Sequence, residues 1–171
     1  MNKKTRVITT SALFIGLNMV FLYLSSVFPT MQLCFVGVTS LFIAAQVIEN
    51  GIKGGLYVFA GSCILGFIIV PDKTSMILFA LFFGYYPMVK SIAERYNKAI
   101  ARWAVKLAVM TAAMAVILVF FGELIFDLSQ FKYGVWVFAA VFELAFILFD
   151  IGMSRLIDFY MMRIHRKGNK T

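Results

Sequence analysis

Charge is scarce in this 171-residue chain: 14% of its residues are Asp, Glu, Lys or Arg, whereas 62% are hydrophobic. A water-soluble domain of this length carries about a quarter charged and about half apolar residues, so too little charge is present to cover a globular surface in water. Proline occurs three times, cysteine twice and histidine once. Cys34 and Cys63 fall inside apolar blocks, with no CxxC spacing and no histidine neighbour. They indicate neither a disulfide framework nor a zinc site and read as small buried hydrophobes. The lone His165 sits in a basic tail. No HExxH, GxSxG or phosphate-binding glycine loop occurs, nor a set suited to intramembrane proteolysis. The chain therefore reads as a non-enzyme with no catalytic residue, no cofactor and no metal ligand set.

What is abundant is apolar sequence in long blocks. A helix needs about 20 apolar residues to cross about 30 Å of hydrocarbon. Blocks of that kind cover residues 7–28, 31–49, 54–70, 75–89, 99–121 and 133–152, the last able to continue as helix to Tyr160. Breakers separate them: Pro29-Thr30, Asn50-Gly51 and Pro71-Asp72-Lys73. The block at 75–89 is short, and Pro87 is expected to kink or end its helix. The run at 7–28 is too long for a signal-peptide core and no small-x-small site follows, so it reads as a retained first helix. The expected fold is all-α: one polytopic membrane domain over residues 1–171, a six-helix bundle with both termini in the cytoplasm.

The charges test that count. The net charge is +8, yet the basic residues sit at block edges and tails, leaving no basic domain to grip nucleic acid. With the N-terminus inside, Lys3, Lys4, Arg6, Lys53, Lys90, Arg95, Lys98, Arg102, Lys106, Arg155, Arg163, Arg166, Lys167 and Lys170 all fall on the cytoplasmic side; only Lys73 and Lys132 fall outside. Short loops follow this positive-inside rule. Removing the short fourth block would put the basic tail outside, so six crossings fit better than five. Trp103 and Tyr96 mark the inner boundary, Tyr133 and Trp136 the outer one.

Small residues recur at helical spacing: Ala12 and Gly16; Ser62 and Gly66; Ala104, Ala108 and Ala112, with Ala115 extending the same side. In lipid, close backbone approach replaces hydrophobic burial as the glue between helices. Each stripe either packs within the chain or docks a separate membrane subunit. Ionisable groups inside spans are costly, about 2.5–3.5 kcal/mol on insertion scales. Lys106 and Asp150 lie at similar depth and form a candidate structural ion pair. Glu143, seven residues before Asp150, either packs in the bundle or lines a polar cavity or substrate path. Asn18, Gln46 and Thr111 suit interhelical hydrogen bonds. On the outer side Asp72, Glu123, Asp127, Gln130, Tyr133 and Trp136 combine carboxylates with aromatic faces, a chemistry suited to a ring-bearing or cationic small molecule. Glu143, Trp136, Tyr133 and Glu123 are the candidate substrate-binding residues. The stretch Phe83-Gly84-Tyr85-Tyr86-Pro87-Met88-Val89-Lys90 is distinctive but suggests no role.

The opening stretch Lys4-Thr5-Arg6-Val7-Ile8-Thr9-Thr10-Ser11-Ala12-Leu13-Phe14-Ile15-Gly16-Leu17, on a motorless six-span chain, resembles the first helix of the S components of energy-coupling factor (ECF) transporters. Those are bacterial substrate-capture subunits for vitamins and related micronutrients. The resemblance implies a multi-pass protein of the bacterial cell membrane that binds a small molecule near its outer face. A transmembrane coupling subunit and two cytoplasmic ATPases would supply force. It also implies that Ala12 and Gly16 dock the coupling subunit, Gly16 standing where alanine is more usual. Two other readings stay open: a non-transport scaffold or assembly protein, and an ion- or proton-coupled carrier using Glu143.

Overall fold

The computed structural model describes residues 3–95, 99–125 and 135–168; their regular structure is helical, with no strand among the described residues. The chain divides into two compact units, Met1–Ile125 and Phe126–Thr171. Three helical segments, Lys4–Val27, Pro29–Ile69 and Lys73–Ala93, are long and apolar enough to cross a membrane. The protein is therefore a helical membrane protein.

The first unit opens with α1 (Lys3–Val27), which contains no proline and stops at Phe28, whose backbone is turned out of the helical region (φ −118°, ψ 81°) ahead of Pro29. A 3-10 turn, Pro29–Met31, leads into α2 (Gln32–Ile69). This 38-residue element is broken at Gly51, where φ is 76° and ψ −177°. That region is closed to residues with a Cβ, so Asn50-Gly51 divides α2 into two rods, 32–50 and 52–69. Val70 then turns extended and Asp72 caps α3 (Lys73–Leu78). A wide π turn, Phe79–Phe83, follows, and then α4 (Tyr86–Ala93) and α5 (Ala99–Ile125).

Two of these elements differ from expectation. The fourth apolar block belongs to a helical path running Lys73–Ala93, 21 residues instead of about 15. Pro87 neither kinks nor ends it: it stands in the first turn of α4, where its missing N–H has no helical partner to lose. The irregularity lies before it, in the π turn. Gly84 closes that turn, its N–H donating to Phe79 O at 2.7 Å. A Cβ on Gly84 would meet the Phe59 ring at 2.6 Å and Phe79 O at 2.8 Å.

Packing of α1 uses two seven-residue rows. Phe14, Phe21 and Phe28 face Phe35 and Phe42 of α2, with ring centroids 6.3 Å apart for Phe14–Phe42, 5.3 Å for Phe21–Phe42, 6.2 Å for Phe21–Phe35 and 6.1 Å for Phe28–Phe35. Such pairs add about 0.5–1.5 kcal/mol each beyond area burial. Beside them Ser11, Asn18 and Ser25, all buried, form a polar row. Gln46 Nε2 donates to Ser11 Oγ (2.7 Å), Asn18 Nδ2 to Ser62 Oγ (3.0 Å) and Ser25 Oγ to Ser75 Oγ (2.8 Å). The row thus touches both rods of α2 and the start of α3. Spacing of seven keeps one face on its neighbours over several turns, and hydrogen bonds between helices hold where lipid offers no substitute.

The second unit is described over α6 (Val135–Gly168), 34 residues long. Phe146, Asp150 and Met153 form its buried row. Glu143 begins the same seven-residue spacing but is exposed.

Candidate functional site

The hydrogen bonds above fix which ends of the rods in the first unit lie together. Ser11 beside Gln46 and Thr10 beside Asn50 place the start of α1 at the Gly51 break. Ser25 beside Ser75 places the end of α1 at the Asp72 turn. Gly55 lies against Met88, and Lys106 of α5 reaches Glu94 just past α4. Lys4, Arg6, Lys53, Lys90, Arg95, Arg102 and Lys106 therefore gather at one end of the unit.

Lys73 is the one described basic residue of the unit at the other end, and it has a local task. Its Nζ donates to Phe67 O (2.7 Å) and Val70 O (3.0 Å), neutralising the carbonyl-rich terminus of α2. Asp72 closes the same end. It accepts from the backbone N–H of Thr74 (3.1 Å) and Ser75 (3.0 Å), the Ser75 hydroxyl (2.6 Å) and Gln32 Nε2 (2.7 Å). Partial burial pushes its pKa up, but the hydrogen bonds from Ser75 and Thr74 outweigh that and hold the carboxyl below its ordinary value. Asp72, expected at a pocket mouth, is thus a helix cap and a clasp.

At the cationic end two lysines are almost wholly buried. Lys90 Nζ lies 3.5 Å and Lys106 Nζ 3.7 Å from Glu94 Oε1, while the Glu94 side chain is 46% exposed. Lys106 Nζ also sits 5.6 Å from the centre of the Trp103 ring. Glu94 as a shared counterion was not expected from the sequence. Asp150, the expected partner of Lys106, is a buried residue of α6.

At the same end of the unit, α1 and the turns around the Gly51 break line a groove of about 650 Å³. Its walls are mainly apolar, including Val7, Ile8, Ala12 and Ile15, and Lys4 and Lys53 stand at its rim.

The small-residue stripes separate into two kinds. Ser62 and Gly66 are buried, and Gly66 faces Met76 and Met19, so this pair packs the chain against itself. Ala12 and Gly16 are exposed, and no atom lies within 4 Å of a Cβ built on Gly16. Ala104, Ala108, Ala112 and Ala115 are likewise exposed.

No known family, curated protein or solved structure matches this chain.

The sequence candidates for substrate binding are only partly described. Tyr133 lies outside the described residues, as do Asp127 and Gln130. Glu123 stands near the end of α5 and Trp136 at the start of α6, their side chains outside the description; Glu143 is exposed on α6. The groove and the shared Glu94 were missed by sequence reasoning. The i, i+4 step from Lys90 to Glu94 was legible as a signal; the groove had none.

Proposed function

We propose that the chain is the substrate-binding membrane subunit of a bacterial micronutrient uptake transporter of the ECF class. In this reading the rods of the first unit, with α5 and α6, make six crossings of the cell membrane and leave both termini in the cytoplasm. The observation that carries the proposal is the uncovered small-residue face of α1. Ala12 and Gly16 are left open while the Ser11–Asn18–Ser25 and Phe14–Phe21–Phe28 rows bind the rest of the unit. A face of that kind lets a second transmembrane helix approach closely, and a chain without a motor needs such a partner to move cargo uphill. The partner is a transmembrane coupling subunit bearing two cytoplasmic ATPases. Capture of the small molecule belongs to the outer face, with Glu123, Tyr133, Trp136 and Glu143 as its sequence candidates.

The test separates docking from capture. Ala12→Trp and Gly16→Leu are expected to abolish uptake and co-purification of the coupling subunit, while the small molecule seen by native mass spectrometry stays bound. Uptake unchanged in both variants contradicts the docking role. A stable protein partner without any retained small molecule favours the scaffold reading instead. Uptake by the chain alone in liposomes, driven by a pH gradient and lost in Glu143→Gln, favours the carrier reading.

A further inference from the structure

The groove at the start of α1 has a chemistry that the capture function does not use. One wall is the face of α1 running from Lys4 to Ile15, about 16 Å at helical rise; the other is the Gly51 break and the following turns, with Lys53 and Tyr57. The rim is cationic and the floor is apolar. No acidic side chain is among its lining residues, and neither Lys4 nor Lys53 has a carboxylate within ion-pairing distance among the described residues. The rim lies at the end of the unit where the basic residues gather, the level at which a membrane's headgroups meet a bundle.

We infer that this groove seats an anionic glycerophospholipid, its phosphate between Lys4 and Lys53 and an acyl chain along Val7, Ile8, Ala12 and Ile15. Charge complementarity chooses the occupant. Two cations with no carboxylate in ion-pairing distance among the described residues line an apolar trough, and an amphiphile with a negative head satisfies both parts. A transmembrane helix of another protein would fill the trough but leave the two ammonium groups unanswered unless it carried its own acid at that depth. Basic pockets between helices at the cytoplasmic side take lipid headgroups in this way. The inference rests on membrane residence and not on the transport reading. Ala12 belongs to both surfaces, so the test is built on the lysines, which the docking face does not include.

The full chain is released from nanodiscs of equimolar phosphatidylglycerol and phosphatidylcholine, and retained lipids are counted by native mass spectrometry. Phosphatidylglycerol is expected to dominate the adducts. Lys4→Gln/Lys53→Gln is expected to lower its preference about 30-fold, from the contribution of each basic residue near an anionic surface. Lys4→Arg/Lys53→Arg keeps it, and the charge-matched control Arg102→Gln/Arg155→Gln, at exposed positions, lowers it distinctly less, because those residues do not line the groove. Equal retention of the two lipids by the unaltered chain overturns the inference, as does an equal loss in the control. Glycerol phosphate protecting the detergent-solubilised chain from heat as well as phosphatidylglycerol does would reduce the groove to a phosphate site and overturn the lipid assignment.

Discussion

Asn18 of α1 donates its Nδ2 to the Ser62 hydroxyl of α2 at 3.0 Å, with both side chains fully buried and Asn18 Oδ1 left without a hydrogen-bond partner. This contact is the middle rung of the row formed by Ser11, Asn18 and Ser25, and it joins α1 to the rod beyond the Gly51 break. A half-satisfied amide makes the rung sensitive to its one partner.

Ser62→Ala is expected to lower stability by about 1–2 kcal/mol, within the range for a buried polar group losing its partner. Adding Asn18→Leu should restore much of that loss, because the orphaned amide is then gone. A double-mutant cycle by thermal unfolding in detergent measures the coupling, expected at about 0.6–1.7 kcal/mol.

Gly51→Ala should cost about 1–3 kcal/mol purely from backbone conformation, since nothing lies within 4 Å of the added Cβ. Asparagine tolerates the left-handed helical region but not ψ near 180°. Gly51→Asn is therefore expected to be as damaging as alanine. A mild asparagine variant would place the break elsewhere.

Asp72 gives a pH signature with a defined sign. Its carboxyl is held below the ordinary value in the folded chain, so its contribution is fully present above the unfolded pKa of about 3.9 and is lost as pH falls below that value. Asp72→Asn should remove this part of the acid sensitivity. Asp72→Ala should cost about 1 kcal/mol at neutral pH through the lost cap. Melting temperatures of the three proteins against pH decide it.

Glu94→Gln leaves the cluster of Lys90 and Lys106 without their shared carboxylate. Breaking a fully buried pair costs about 3–5 kcal/mol; with Glu94 half exposed, solvent screening reduces the expected loss to about 1–3 kcal/mol. Added salt should narrow the difference from the unaltered chain.

Much of the fold was legible because its breaks are chemical. Pro29, Asn50-Gly51 and Pro71 end or divide helices where the sequence places them, since a missing N–H or a missing Cβ acts locally. Interhelical bonding by Asn18 and Gln46 was legible from their polarity inside apolar blocks. The π turn at Phe79–Phe83 was not: it changes the pitch, and apolar composition records length without pitch. The rows Ser11–Asn18–Ser25 and Phe14–Phe21–Phe28 were readable as seven-residue repeats, but small-residue spacing drew attention to Ala12 and Gly16 instead. Depth inside the spans marked Lys106 and Asp150, and depth does not see Glu94, which lies outside the apolar blocks.

The cationic end of the first unit is expected to face the cytoplasm and the Asp72 end to face outward. Single cysteines at Thr30 and Lys53, both exposed, test it in a background with Cys34→Ala and Cys63→Ala. A membrane-impermeant thiol reagent added to intact cells should label Thr30→Cys at once and Lys53→Cys only after permeabilisation. Labelling of Lys53→Cys in sealed cells, with Thr30→Cys protected, would reverse this orientation.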